Sequence, residues 1–228
     1  MQTNKFKHLF ILGAAKAGTT YLFNNLINHP KIIGADPIKP PMKWKKETKL
    51  LINKDIDREK YIFAFHENIY KNPEGDILID ASPQYSIWPN SFALASDINR
   101  IANDYLCIYI LRDPIDRFES HINFLRENKR MPFPKEINES NLDEILDSKG
   151  GNIALNTGNY ALQLFGYKEI FNNGKLLIID FNELISNPEK ILRIICEKMN
   201  LDIKDLSKDN LKKVCLLYTS PSPRDSCA

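Results

Sequence analysis

Four short runs, "HLFIL" (8–12), "DILID" (76–80), "YLCIYIL" (105–111) and "KLLIID" (175–180), are apolar at successive positions, so both faces of each must be covered. Strands of that kind belong in a parallel sheet with helices above and below. "KIIGA" (31–35) offers a fifth. Between the runs, apolar residues recur at helical spacing over 18–28, 90–102, 114–129, 155–172 and 188–200. This alternation predicts an α/β fold, a doubly wound, mostly parallel sheet flanked by helices and joined by right-handed crossovers. A mixed α+β sheet fits the runs less well, and no internal repeat is visible.

The chain of 228 residues is long enough for one sizeable core, and its 43% hydrophobic and 26% charged residues suit a soluble globular domain. A net charge of +2 argues against nucleic acid or membrane as a general partner, so any anion binding must be local. The four cysteines (107, 196, 215 and 227) form no CxxC pair, which points to a reducing compartment. "MQTNKFKHLF" enters the first strand within a few residues and leaves no room for a signal peptide, so a cytoplasmic location is expected. "DPIKPPMKWKKETK" (36–49) reads as a loop whose lysines suit solvent or an anionic ligand. "LLYTSPSPRDSCA" (216–228) reads as a disordered or artefactual tail, leaving a single domain over 1–215 whose C-terminal part is incomplete.

Two loops carry chemistry. After the first strand comes Gly13-Ala14-Ala15-Lys16-Ala17-Gly18-Thr19-Thr20, and then a helix. Unpaired N–H groups at a helix start, with a close-approaching glycine, make an anion site. The nucleotide triphosphatase loop has Lys directly after its last Gly and a hydroxyl on magnesium. Here the lysine precedes Gly18 by two, so a phosphate can be cradled without a clear magnesium arrangement. A mere packing turn would not need Lys16 and two threonines. The second loop lies in "YILRDPIDRFESHINF" (109–124). Arg112 follows a buried strand, Pro114 suits the first turn of a helix, and Ser120 lies two turns in, where both can reach one phosphate. Taken alone, this stretch reads better as a surface ion pair of Arg112 with Asp113 or Asp116, with Ser120 exposed. In open α/β sheets both loops fall at the carboxyl ends of strands, where ligands collect.

Together, "GAAKAGTT" with "HP" and "RDPxxRxxSxxxF" resemble the sulfotransferase family that uses 3'-phosphoadenosine 5'-phosphosulfate. The resemblance continues through "DASPQY" (80–85), "LNTGNYALQLFGYKEIF" (155–171) and "LLIIDFNELISNPEKILRIICEKMNL" (176–201), and is closer to the carbohydrate-type and bacterial branches. It implies a P-loop NTPase-like fold and sulfuryl transfer to a hydroxyl or amine on a small-molecule or saccharide acceptor, with no metal required. Lys16, Ala17, Gly18, Thr19 and Thr20 would hold the 5' end of the donor; Arg112 and Ser120 would take the 3'-phosphate, and Tyr160 would line the nucleotide site. Lys16 would also act in catalysis, by facing the phosphosulfate link.

The family's general base is a glutamate in a Lys-Glu-Pro segment. The matching stretch reads as Lys39-Pro40-Pro41, so Lys39 fits as a catalytic lysine but proline stands where the base should be. Glu47, His66 and Asp80 are the candidates to replace it, Asp80 with a structural or acceptor-binding role equally open. The basic loop that closes over the nucleotide near the family's C-terminus has no counterpart after Leu201. A non-catalytic nucleotide-binding protein is therefore a second reading, and a nucleotide-dependent kinase a third.

Overall fold

The computed structural model describes residues 5–37, 45–53 and 55–206. Five strands form one sheet: β1 (Lys7–Gly13), β2 (Ile32–Gly34), β3 (Ile77–Asp80), β4 (Tyr105–Leu111) and β5 (Leu176–Asp180). All neighbours are parallel, in the order β2-β3-β1-β4-β5. The doubly wound α/β sheet is thus the observed architecture, and "KIIGA" supplies its fifth strand.

The central strands are buried along their length, as runs without polar alternation require. Strand β5 departs from that expectation. It lies at the edge, and Ile178 and Asp180 face solvent.

The helices are α1 (Thr19–Leu26), α2 (Arg58–Phe63), α3 (His66–Lys71), α4 (Asn90–Ile101), α5 (Pro114–Glu127), α6 (Glu139–Asp147), α7 (Lys149–Asn156), α8 (Tyr160–Phe165), α9 (Lys168–Asn172), α10 (Phe181–Ser186) and α11 (Pro188–Met199). The last shows how sequence becomes packing. Pro188 suits the first turn, and Asn200 ends the helix in the left-handed region at φ 56°. Ile191, Leu192, Ile195, Cys196 and Met199 fall on one stripe and are buried. Each such side chain contributes about 1.5–3 kcal/mol of transfer free energy, so Leu192→Ala alone would cost about 2–5 kcal/mol.

The predicted helix over 155–172 is instead divided among the end of α7, α8 and α9. Asn159 begins α8 by accepting a hydrogen bond from the Leu162 N–H, and Gly158 sits where an added Cβ would lie 3.4 Å from the Arg117 guanidinium. The side-chain cap and the close approach break a pattern whose apolar spacing is continuous.

Because β1 has β3 on one side and β4 on the other, the chain leaves β1 and β4 in opposite directions. That is a topological switch point, and the loops that follow both strands border one crevice at the carboxyl edge of the sheet.

Candidate active site

The loop after β1 is shaped by two left-handed residues, Lys16 at φ 69° and Gly18 at φ 84°. Glycine takes that region freely; lysine does so at a cost of about 1–3 kcal/mol, which the surroundings must offset. A Cβ on Gly18 would also lie 3.3 Å from the Phe181 ring. Gly18 stands at the N-cap of α1 and, having no side chain, offers no cap of its own to the first N–H groups of the helix. Ala17 is fully buried and could reach a ligand only through its backbone, while Thr19 is buried and Thr20 exposed.

Arg112, from the loop after β4, donates from Nη1 to the Lys16 carbonyl at 3.0 Å. Its guanidinium lies 4.7 Å over the Phe181 ring, and its buried Nε has no hydrogen-bond partner among the described residues. Asp113 acts on Arg112 through its charge and also caps the helix that follows. Its carboxylate accepts from the N–H groups of Ile115 (2.9 Å) and Asp116 (3.0 Å) and caps α5. Tyr160 donates its hydroxyl to the Arg112 carbonyl at 2.8 Å and meets Tyr109 edge-on at 6.0 Å. Its hydroxyl is therefore a brace for the loop. Ser120 is half-buried on α5. One turn further along, Phe124 carries Lys16 Nζ at 4.3 Å and Arg130 at 5.1 Å from its ring centre.

Two residues from the lysine-rich stretch complete the site. Lys46 Nζ lies 3.4 Å from Thr19 Oγ1 and 3.4 Å from Glu47 Oε1. Glu47 also accepts from Gln84 Nε2 at 3.1 Å and pairs with Lys49 at 3.8 Å. Sequence reasoning missed Lys46. The signal was the Lys46-Glu47 dipeptide, passed over in favour of Lys39-Pro40-Pro41, which lies outside the described residues.

The other two candidate bases sit elsewhere in the packing. His66 is exposed at the start of α3 and stacks on Phe63 at 5.4 Å. Asp80 is 0% exposed. Its Oδ1 accepts from Thr48 N (3.3 Å) and Ser82 Oγ (2.7 Å), and its Oδ2 from Thr48 Oγ1 (2.5 Å), Tyr85 OH (2.7 Å) and Tyr61 OH (3.2 Å). An enclosed carboxylate with both oxygens taken suits the structural role that the sequence left open for Asp80.

The electrostatics are those of a cationic cup. Burial lowers the Lys16 pKa, with Arg112 and Lys46 adding to the effect and Glu127 opposing it. Burial likewise lowers Lys46, which Glu47 and Asp80 partly restore, and Arg112, which Asp116 partly restores. His121 is brought down to about 4 by burial and then by Arg117, Lys16 and Arg130. Arg117, itself 0% exposed, donates to the Ala154 carbonyl and lies 3.4 Å from His121 Nδ1. Cations gathered this closely, with Glu47, Glu127 and Asp116 offsetting part of their charge, suit an anionic ligand. Among the described residues, no group of three or more His, Cys, Asp or Glu could hold a metal ion.

A family model for the sulfotransferase domain matches residues 6–223. The chain belongs to the sulfotransferase family. Its members are transferases, and the fold agrees with that of solved sulfotransferases. One from Alicyclobacillus acidocaldarius is 21% identical over 89% of this chain and 87% of its own, with a TM-score of 0.65. The sulfotransferase domain of the Synechococcus PCC 7002 olefin synthase is 16% identical over 92% and 81%, with a TM-score of 0.53. Mouse sulfotransferase SULT7A1, solved with PAP, is 19% identical over 88% and 62%, with a TM-score of 0.50. No curated protein matches the sequence. Membership makes this sulfotransferase a transferase, and the family implies sulfuryl transfer. No helix among its described residues is long and apolar enough to cross a membrane.

Proposed function

We propose that the chain transfers a sulfuryl group from 3'-phosphoadenosine 5'-phosphosulfate to a hydroxyl or amine of a saccharide or other polar small molecule, in the cytoplasm and without a metal. The observation that carries the reading is Lys46, whose ammonium reaches both the Thr19 hydroxyl of the anion loop and the Glu47 carboxylate. It joins the place where the donor's phosphosulfate would lie to a group that can take a proton. The buried Nε of Arg112, without a hydrogen-bond partner among the described residues, fits a donor with a second phosphate.

The donor supplies an activated sulfur whose bridging oxygen leaves with the nucleotide. Glu47 accepts the proton of the attacking hydroxyl or amine as the acceptor's oxygen or nitrogen bonds to sulfur and the bridging bond breaks. Lys16 and Lys46 face the negative charge that builds on the departing phosphate oxygen, and the N–H groups of Gly18, Thr19 and Thr20 hold the rest of that phosphate. Arg112 and Ser120 hold the 3'-phosphate, with the Tyr160 brace fixing the Arg112 loop. The Lys46-Glu47 pair takes the part of the Lys-Glu segment that Lys39-Pro40 cannot supply.

Thermal stabilisation tests the donor assignment. At a hundred times its Kd, 3',5'-adenosine bisphosphate would add roughly 2.7 kcal/mol, a shift of several degrees that ADP, with or without magnesium, does not match. Equal shifts with ADP would overturn the two-phosphate site. Transfer of radiolabelled sulfur to a panel of glucosamine, N-acetylglucosamine and simple phenols then reads the acceptor class.

A further inference from the structure

The stretch Lys45–Leu51 carries Lys46 and Glu47, yet most of it is neither helix nor strand. Lys45 makes a single bridge to Ala35, and the Lys46 carbonyl accepts from the Ala81 N–H at 3.0 Å. The four backbone N–H groups from Thr48 to Leu51 all go to side chains: Thr48 to Asp80 Oδ1 (3.3 Å), Lys49 to Ser82 Oγ (3.1 Å), Leu50 to Thr48 Oγ1 (3.2 Å) and Leu51 to the Tyr85 hydroxyl (3.3 Å). Three of the four acceptors come from one six-residue segment, Asp80-Ala81-Ser82-Pro83-Gln84-Tyr85. The fourth, Thr48, is itself hydrogen-bonded to Asp80. The remaining polar side chain of that segment, Gln84, reaches past the backbone to the Glu47 carboxylate.

This arrangement is a costly way to fold a loop. A carboxylate buried among five donors gives up its hydration, and an apolar cluster of the same volume would stabilise the chain at least as well. Burial pushes the Asp80 carboxyl above the usual range, and only the hydroxyl and N–H donors hold it back. Gln84 leaves its own Oε1 buried without a partner while its Nε2 serves Glu47. The arrangement fixes a backbone that has no ladder of its own, and so fixes where two charged side chains point.

We propose that the Asp80–Tyr85 segment, with Tyr61, is a positioning device for the Lys46-Glu47 pair: Asp80, Ser82 and Tyr85 hold the backbone, and Gln84 orients the carboxylate that faces the acceptor. The proposal rests on the reading of Glu47 as the proton acceptor. Asp80, Ser82, Gln84 and Tyr85 touch no reacting atom and act through the pair.

The test uses the full chain and two variants, Ser82→Ala and Gln84→Leu, with three readouts. These are amide exchange at Thr48–Leu51, the affinity for 3',5'-adenosine bisphosphate, and the kcat and donor KM of sulfuryl transfer to glucosamine and to water. In the wild type these four amides are protected. In Ser82→Ala they lose protection while β1 and β4 keep theirs. In both variants kcat falls about tenfold to a hundredfold, as for misplaced reacting groups, with bisphosphate affinity and donor KM retained. Unprotected amides in the wild type would overturn the proposal whatever the activity. So would variants that turn over like the wild type, or that lose affinity and kcat in parallel. Protected amides in a wild type that transfers nothing would instead sink the role of Glu47, and the proposal with it. Should Ser82→Ala fail to fold, Gln84→Leu carries the test, since Gln84 touches Glu47 and not the Asp80 oxygens.

Discussion

Arg112 holds the carbonyl of Lys16 at 3.0 Å, so the loops after two neighbouring strands are joined by one side chain. On the donor assignment proposed above, Arg112→Ala would lose both a contact to the 3'-phosphate and this loop tie. A charge-assisted hydrogen bond contributes about 1.5–3 kcal/mol. Calorimetry with 3',5'-adenosine bisphosphate should show affinity falling about tenfold to a hundredfold, against a much smaller loss for ADP. Equal losses would mean that Arg112 does not read the 3'-phosphate.

Lys16→Ala should leave the fold intact, because Lys16 is only partly buried and alanine keeps the same Cβ, and so the same cost, at its left-handed backbone. Transfer should fall by about 2.7–4 kcal/mol of barrier, the effect of removing one preorganised donor. Retained kcat in single-turnover assays would rule out its place at the phosphosulfate link.

The platform beneath that lysine can be tested separately. Phe124→Leu removes the ring that carries Lys16 and Arg130. Cation–π contacts contribute about 0.5–2 kcal/mol, so kcat should fall severalfold while circular dichroism and melting temperature change little. An unchanged kcat would leave the ring as packing alone.

Gly18→Ala should be more damaging than its size suggests. The residue sits at φ 84°, and the new methyl would press on the Phe181 ring at 3.3 Å. Strain at that backbone costs about 1–3 kcal/mol. A lower melting temperature with weakened bisphosphate binding is expected; a thermally neutral variant would contradict the loop geometry.

Acid should weaken the fold over a defined window. His8 is buried against Phe10 and Tyr61, and neither of its ring nitrogens has a hydrogen-bond partner among the described residues. Burial, and then Arg58, lower its pKa from 6.5 to about 4. Since the unfolded chain takes up the proton first, stability is full above pH 6.5 and falls as pH drops towards 4. The loss amounts to about 3 kcal/mol. His121 contributes in the same direction. His8→Phe should flatten the fall in melting temperature across that window, and an unaltered slope would exclude His8 as its source.

The fold was legible because buried parallel strands cannot hide their composition. Four of the runs, and the helical spacing of α1, α4, α5 and α11, match the observed elements to within a few residues. Short helices such as α2 and α3 escaped, since six residues hold too few turns to show a period. Within the site, strand-to-loop-to-helix patterns placed Lys16 and Arg112 in sequence, and the fold brings them into contact. Lys46 was hidden for a different reason. Its stretch has no periodicity, and its shape depends on hydroxyl groups more than thirty residues away, which spacing along the chain cannot express.

The strand order also divides the molecule in a way that can be cut. The chain up to α4 supplies β2, β3 and β1, with Lys16, Lys46 and Glu47; the chain from β4 onward supplies β5, Arg112, Ser120 and Tyr160. Their boundary within the sheet is the β1–β4 ladder, from His8 against Tyr105 to Gly13 against Tyr109. On the proposed donor assignment, two fragments severed between α4 and β4 would each hold only one end of a bisphosphate nucleotide. Such a ligand would act as a staple across the break, and fragment reassembly would become a reporter of its concentration.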